Sequence, residues 1–222
     1  MNCYMCTNDS VSAEHVPPEC FFPAGHKLNL ITVPSCSAHN LRKSKDDEYV
    51  RSIVAPALGN NEFGLQISET KVDRSFAHSR GLVGAVFQGV RVSTMSDGRE
   101  TGGVTVDLDR WDNFFRHFAS ALYWHDFRIM HSQSWEIVNP SLRIVDPGEP
   151  DPYDKVNKML LSFNLQHVQT SNPEIFQYSF FRHSDVSYVY KFQFYEGFTV
   201  CALSKPRGVP AHNTANNDTR SL

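Results

Sequence analysis

Cys3-x-x-Cys6 and Cys36-x-x-His39 are the two places in this 222-residue chain where residue type and spacing together point to chemistry. Each pair puts two soft or borderline donors on one tight turn, and two such pairs close a tetrahedral cage of the kind that holds Zn²⁺. The pairs lie about thirty residues apart, so an ion bound by Cys3, Cys6, Cys36 and His39 would clamp the two ends of a small N-terminal unit. Structural zinc of this type adds about 10 kcal/mol or more of apparent folding free energy, which suits a unit too small to rely on its core. Four of the five cysteines fall within the first 36 residues, and such crowding in a cytosolic chain favours metal over disulfides. Cys20, inside Glu19-Cys20-Phe21-Phe22, reads instead as a buried apolar thiol.

Between the two pairs stands Glu14-His15-Val16-Pro17-Pro18, and directly after His39 come Asn40 and then Leu41-Arg42-Lys43-Ser44-Lys45. An acid-His-x-x-Pro start, CxxH as the second zinc pair, a polar residue immediately after it and a following lysine form an ordered set. In that order residues 1 to 55 resemble the HNH endonuclease family, whose ββα-metal fold is braced by paired zinc ligands. The resemblance implies that His15 is the general base, taking a proton from the water that attacks a phosphodiester. It implies that Glu14 and Asn40 hold one hard divalent cation, Mg²⁺ or Mn²⁺, distinct from the zinc. The product it implies carries a 5′ phosphate and a 3′ hydroxyl.

The chain departs from the family pattern at two positions. Glu14 stands where Asp is commoner, and Ile31 occupies the place of the middle Asn. Asn29, two residues earlier, would share a strand face with Ile31 and is expected to orient His15. Arg42, Lys43 and Lys45 are placed to meet phosphates beside the scissile bond, giving salt-dependent affinity without sequence selectivity. Blander readings stand beside these: a solvated acid next to a core histidine, a helix cap at Asn40, and a solvated helix start at Arg42 to Lys45.

The elements that must position these residues follow from pattern. Asn29 to Ser35 is β-branched and apolar and ends at a proline, so it reads as a strand; Lys45 to Leu58 begins with acids and continues with Tyr49, Val50, Ile53 and Val54, so it reads as a helix. Gly59 to Gly64 is a turn-rich changeover, which divides the chain into an HNH-type unit at 1–58 and an α+β domain of unassigned role at 65–203. In the second part, Val90 to Thr94 and Gly103 to Leu108 flank Ser96-Asp97-Gly98 as a hairpin. Asp109 to Phe127 repeats Trp111, Phe114, Phe115, Phe118 and Leu122 at helical spacing, a core-facing stripe. A shorter helix at Tyr153 to Phe163 precedes three strands, Ile175 to Phe181, Val186 to Phe194 and Phe198 to Leu203, which form an antiparallel meander. Residues 204–222 lack periodicity and read as a disordered tail.

With 41% hydrophobic and 20% charged residues, disorder and collagen-like repeats are excluded for the bulk of the chain. A net charge of -3 argues against a protein coated in positive charge, so any nucleic-acid contact must be local. No run of eighteen apolar residues occurs and Met1 to Asp9 has no signal-peptide pattern, so a cytoplasmic protein is expected. His125, Asp126 and His131 lack a second half-site and fit a helix end packed on a sheet, and His183, Ser184 and Asp185 are too close in sequence to form a relay. The resulting expectation is a metal-dependent endonuclease acting on nucleic acid, DNA before RNA. The second domain would select substrate, a protein partner or a homo-oligomer. The rival is a non-catalytic zinc-stabilised module that binds nucleic acid or protein.

Overall fold

A computed structural model describes residues 1–40, 44–94, 98, 100–142, 154–184 and 187–205. The N-terminal part is a two-stranded hairpin of β1 (Ser12–His15) and β2 (Thr32–Ser35), followed by α1 (Ser37–Asn40) and α2 (Ser44–Val54). The antiparallel register sets Ser12 opposite Ser35, Glu14 opposite Val33 and His15 opposite Thr32. Opposed residues share a face, so Glu14, Val33 and Ser35 turn inward and are buried, while Ala13 and Thr32 are exposed on the other face. The strand expected from Asn29 begins only at Thr32, because Asn29 takes a left-handed φ of 54° and turns the chain before the ladder starts. α2 buries Tyr49, Val50, Ile53 and Val54, as its spacing predicts, but stops at Val54 rather than Leu58.

A run of short helices follows: α3 (Glu62–Ile67), a π-helical turn at Ser68–Val72, α4 (Asp73–His78) and α5 (Arg80–Val86). Asn61 caps α3 by accepting the N–H groups of Phe63 and Gly64, and Ser79 caps α5 at Leu82. β3 (Arg91–Thr94) pairs with β4 (Glu100–Gly103) in a separate hairpin whose expected turn residues Ser96 and Asp97 lie outside the described residues. The second strand is therefore earlier than the expected Gly103 to Leu108. Asp107 already serves as the cap of the next helix, accepting from the Arg110 N–H at 3.1 Å.

That helix, α6 (Leu108–Phe127), buries Trp111, Phe114, Phe115, Phe118 and Leu122 along one stripe. Then come β5 (Ser134–Val138), α7 (Asp154–Ser162), β6 (Gln166–Val168), β7 (Phe176–Ser184), β8 (Ser187–Phe194) and β9 (Phe198–Lys205). The last strands form an antiparallel five-stranded sheet of order β5-β9-β8-β7-β6, with the expected β7-β8-β9 meander at its centre. Ser204 and Lys205, assigned to the tail by composition, pair with Trp135 and Ser134 as part of β9; the rest of the tail, 206–222, lies outside the described residues. The chain is thus α+β.

α6 lies on the inner face of the sheet, where Phe118 meets Phe192 at 5.0 Å and Phe176 at 5.5 Å between ring centroids. Its last turn is tied down by Asp126, whose carboxylate accepts the Tyr178 hydroxyl at 2.7 Å and the Tyr190 hydroxyl at 2.8 Å. On the other face, Leu160 of α7 packs with Val189 and Cys201 in a smaller cluster. Around the loop at 59–64, Asn61 donates to the Glu174 carbonyl at 2.7 Å and its N–H bonds the Tyr195 carbonyl at 2.9 Å. Buried side chains from both sides of that loop belong to one continuous cluster. Phe21 contacts Phe114 at 6.3 Å and Phe194 at 5.5 Å, and the Tyr195 hydroxyl donates to the Phe21 carbonyl at 2.8 Å. Gly197 is required by close approach: a β-carbon there would lie 2.4 Å from the Gly59 carbonyl oxygen. Among the described residues no helix is long and apolar enough to cross a membrane.

Candidate metal centre and the adjoining strand

The first ligand pair sits on a knuckle closed by the Asn2–Asp9 bridge and by the Cys3 N–H bonding the Asn8 carbonyl at 2.9 Å. The Tyr4 N–H bonds the Pro34 carbonyl at 2.8 Å, which docks the knuckle onto β2. Cys36 directly follows β2, and His39 is turned back over it in α1, where the His39 and Asn40 N–H groups both bond the Cys36 carbonyl. The hairpin therefore carries both pairs to one place, and their four ligand atoms lie within 4.8 Å of one another. Cys6 Sγ is 3.8 Å from Cys36 Sγ, while His39 Nδ1 is 3.4, 3.6 and 3.3 Å from the sulfurs of Cys3, Cys6 and Cys36. A tetrahedron built on Zn–S of about 2.3 Å and Zn–N of about 2.0–2.1 Å has S···S edges of roughly 3.8 Å and S···N edges of roughly 3.6 Å. The donor set and its edge lengths fit a metal ion such as zinc.

The thiols of the cage are unequal, Cys6 being raised and Cys36 lowered. Burial opposes ionisation of Cys36, but the His39 backbone N–H and hydrogen bonds from Cys6, His39 and Cys3 outweigh it and bring that thiol down to about 6. The Met5 N–H, 3.5 Å from Cys3 Sγ, gives a second sulfur a backbone donor. On its outer side the His39 ring meets Tyr4 and, edge-on at 5.9 Å, His117 of α6. Among the described residues this is the single group of three or more His, Cys, Asp or Glu side chains close enough to share a metal.

Compared with protein-family models, curated proteins and solved structures, the chain finds no match. Assignment of the neighbouring residues therefore rests on their own geometry.

Glu14 projects inward from β1, 9% exposed, and its Oε1 accepts the Tyr4 hydroxyl at 3.5 Å. Burial, and next the Glu14 carboxylate, hold the Tyr4 phenol well above its ordinary value, so it remains a proton donor. Asn40 closes α1 and donates from Nδ2 to Ser12 Oγ at 2.7 Å, which brings it to the strand face that carries Glu14. Glu14 and Asn40 supply a carboxylate and an amide oxygen, the donor types a hard divalent cation takes. His15 is half-buried and, by strand alternation, on the face opposite Glu14 and Val16. Asn29 is exposed and off the strand, and its carbonyl accepts the Ser171 hydroxyl at 2.8 Å, so the shared strand face expected for orienting His15 is absent. Arg42 and Lys43 lie outside the described residues; Lys45 is exposed on the first turn of α2, beside Asp46 and Asp47. Two residues of this face, Tyr4 and Ser12, carry no motif signal. Only their places, inside the CxxC pair and two residues before Glu14, could have pointed to them.

Proposed function

We propose that the N-terminal unit is a zinc-braced, HNH-type nuclease that hydrolyses phosphodiester bonds with the help of a second, hard divalent cation. The observation that carries this reading is the Asn40–Ser12 hydrogen bond. It brings the residue after the cage's last ligand onto the strand face of Glu14, in a β1-β2-α1 order like that of the resembled family. Mg²⁺ or Mn²⁺ at Glu14 and Asn40, when bound, supplies positive charge to the phosphate and to the leaving 3′ oxygen. His15 takes the proton of the attacking water as general base. Lys45, with Arg42 and Lys43, attracts the flanking phosphates. DNA is the preferred substrate, and RNA offers the same bond.

A second reading has its own observation. Glu14 points inward to Tyr4 while the next side chain along β1 points the other way, an arrangement suited to a zinc-stabilised binding module for nucleic acid or protein. Plasmid nicking by the zinc-loaded chain with Mg²⁺ or Mn²⁺, beside a folded His15→Ala variant, separates the two. The nuclease reading expects metal-dependent nicking that falls about 10²–10⁴-fold in the variant. Intact DNA and RNA after incubation with a folded, zinc-loaded wild type would favour the binding module instead.

A further inference from the structure

Asn40 ends in an amide with two chemically opposite sides, and only its oxygen can ligate a hard cation. What decides which side is offered is the hydroxyl of Ser12. Ser12 opens β1 opposite Ser35 and is half-buried. A serine hydroxyl has one proton, and here it is directed at the Ser35 carbonyl, 3.3 Å away. Its remaining lone pairs meet the Asn40 side chain at 2.7 Å, and lone pairs require an N–H opposite them. An Asn40 oxygen turned to the same point would be met by a proton only if the Ser12 hydroxyl gave up the Ser35 carbonyl. With both bonds made, the relay runs from the Asn40 N–H to the Ser12 hydroxyl to the Ser35 carbonyl.

We propose that Ser12 is a positioning residue that fixes the Asn40 amide so that its oxygen is the end presented to a divalent cation. The inference rests on the nuclease reading above, which makes Asn40 a ligand. Ser12 and Glu14 stand two residues apart on one strand face, about 7 Å along β1. The same hydroxyl thus holds the amide on the side where the carboxylate lies. Outer partners of this kind typically set metal affinity by about ten- to a hundredfold without touching the ion.

The test is Mn²⁺ uptake by the full, zinc-loaded chain, followed by the loss of the free Mn²⁺ electron paramagnetic resonance signal. Ser12→Ala should weaken Mn²⁺ binding about tenfold while zinc content and circular dichroism stay unchanged, and Ser12→Thr, which keeps the hydroxyl, should restore it. In an Asn40→Asp background both ends are oxygens, so Ser12→Ala should cause no further loss. Wild-type affinity in Ser12→Ala, with Asn40→Ala abolishing uptake, would overturn the positioning role alone. An undiminished Ser12→Ala loss in the Asn40→Asp background would overturn it too. No Mn²⁺ uptake by the wild type would overturn the cation site of the nuclease reading and this inference with it.

Discussion

The knuckle-and-hairpin region around Cys3, Cys6, Cys36 and His39 and the region where α6 lies on the five-stranded sheet solve one problem with different materials. In the first, four donor atoms converge within 4.8 Å and the surrounding elements are short. In the second, Trp111, Phe115, Phe118, Phe176, Phe192 and Phe194 are each at most 4% exposed and pack ring against ring. Order in the first region depends on a few directional bonds, each of which matters singly. Order in the second depends on area and shape, spread over many contacts. Phe21 joins the two by reaching from the N-terminal unit to Phe114 and Phe194.

The contrast can be broken most forcefully at the cage. Cys36→Ser should lose the single zinc per chain expected of this site, and with it folding of the N-terminal unit, since such sites contribute about 10 kcal/mol or more of apparent stability. Metal analysis and circular dichroism read this directly, and zinc retention by the variant would remove Cys36 from the ligand set. Next in size, Phe118→Ala should cost about 3–5 kcal/mol in denaturant unfolding by leaving a void between α6 and the sheet, with zinc still bound in the folded fraction. At the seam, Gly197→Ala should cost about 1–3 kcal/mol, because the new methyl must displace the Gly59 carbonyl. A negligible change in its unfolding midpoint would mean that this seam yields easily.

A further way to separate the two regions is a pH slope that belongs to the aromatic one. His131 stacks on Trp135 at 4.0 Å and donates from Nδ1 to the Gln133 carbonyl, and burial holds it down to about 4. The unfolded chain, with an ordinary histidine near 6.5, then binds more protons than the native state at intermediate pH. Its contribution to stability is complete above about pH 6.5 and is lost as pH falls toward about 4. Unfolding measured across that window should show the decline in the wild type and a shallower one in His131→Phe, which keeps the stacking. Equal slopes would assign the decline to other groups.

Legibility in the sequence followed the same contrast. The cage was readable because each half-site is local, two ligands on one turn. α6 and the meander were readable because burial on one side imposes a period of 3.6 or 2 on aromatic residues. β1 was not, since Ser12-Ala13-Glu14-His15 has no β-branched residue and is a strand only by virtue of its pairing with β2. The helices between Glu62 and Val86 were hidden by their shortness, by three internal glycines and by a π turn that breaks the apolar period. Asn29 misled because its neighbours Leu30 to Val33 look like strand, whereas its own left-handed φ is a tertiary fact. Ser12 was invisible as a site residue because its role lies in a bond to a residue 28 positions away.

The seam at Phe21 also sets a timetable. Its carbonyl is covered by Tyr195, 174 residues further along the chain. At about 5–20 residues per second a ribosome needs roughly 10–35 s to travel between them. All four cage ligands have been made soon after that interval begins, whereas Phe114 is made about midway through it and Phe194, the rest of the apolar floor beneath the unit, only at its end. During synthesis, metal capture is what can organise the first forty residues. The supply of a metal ion at the ribosome would then bear on how the newborn chain folds, as well as on the final stability of the protein.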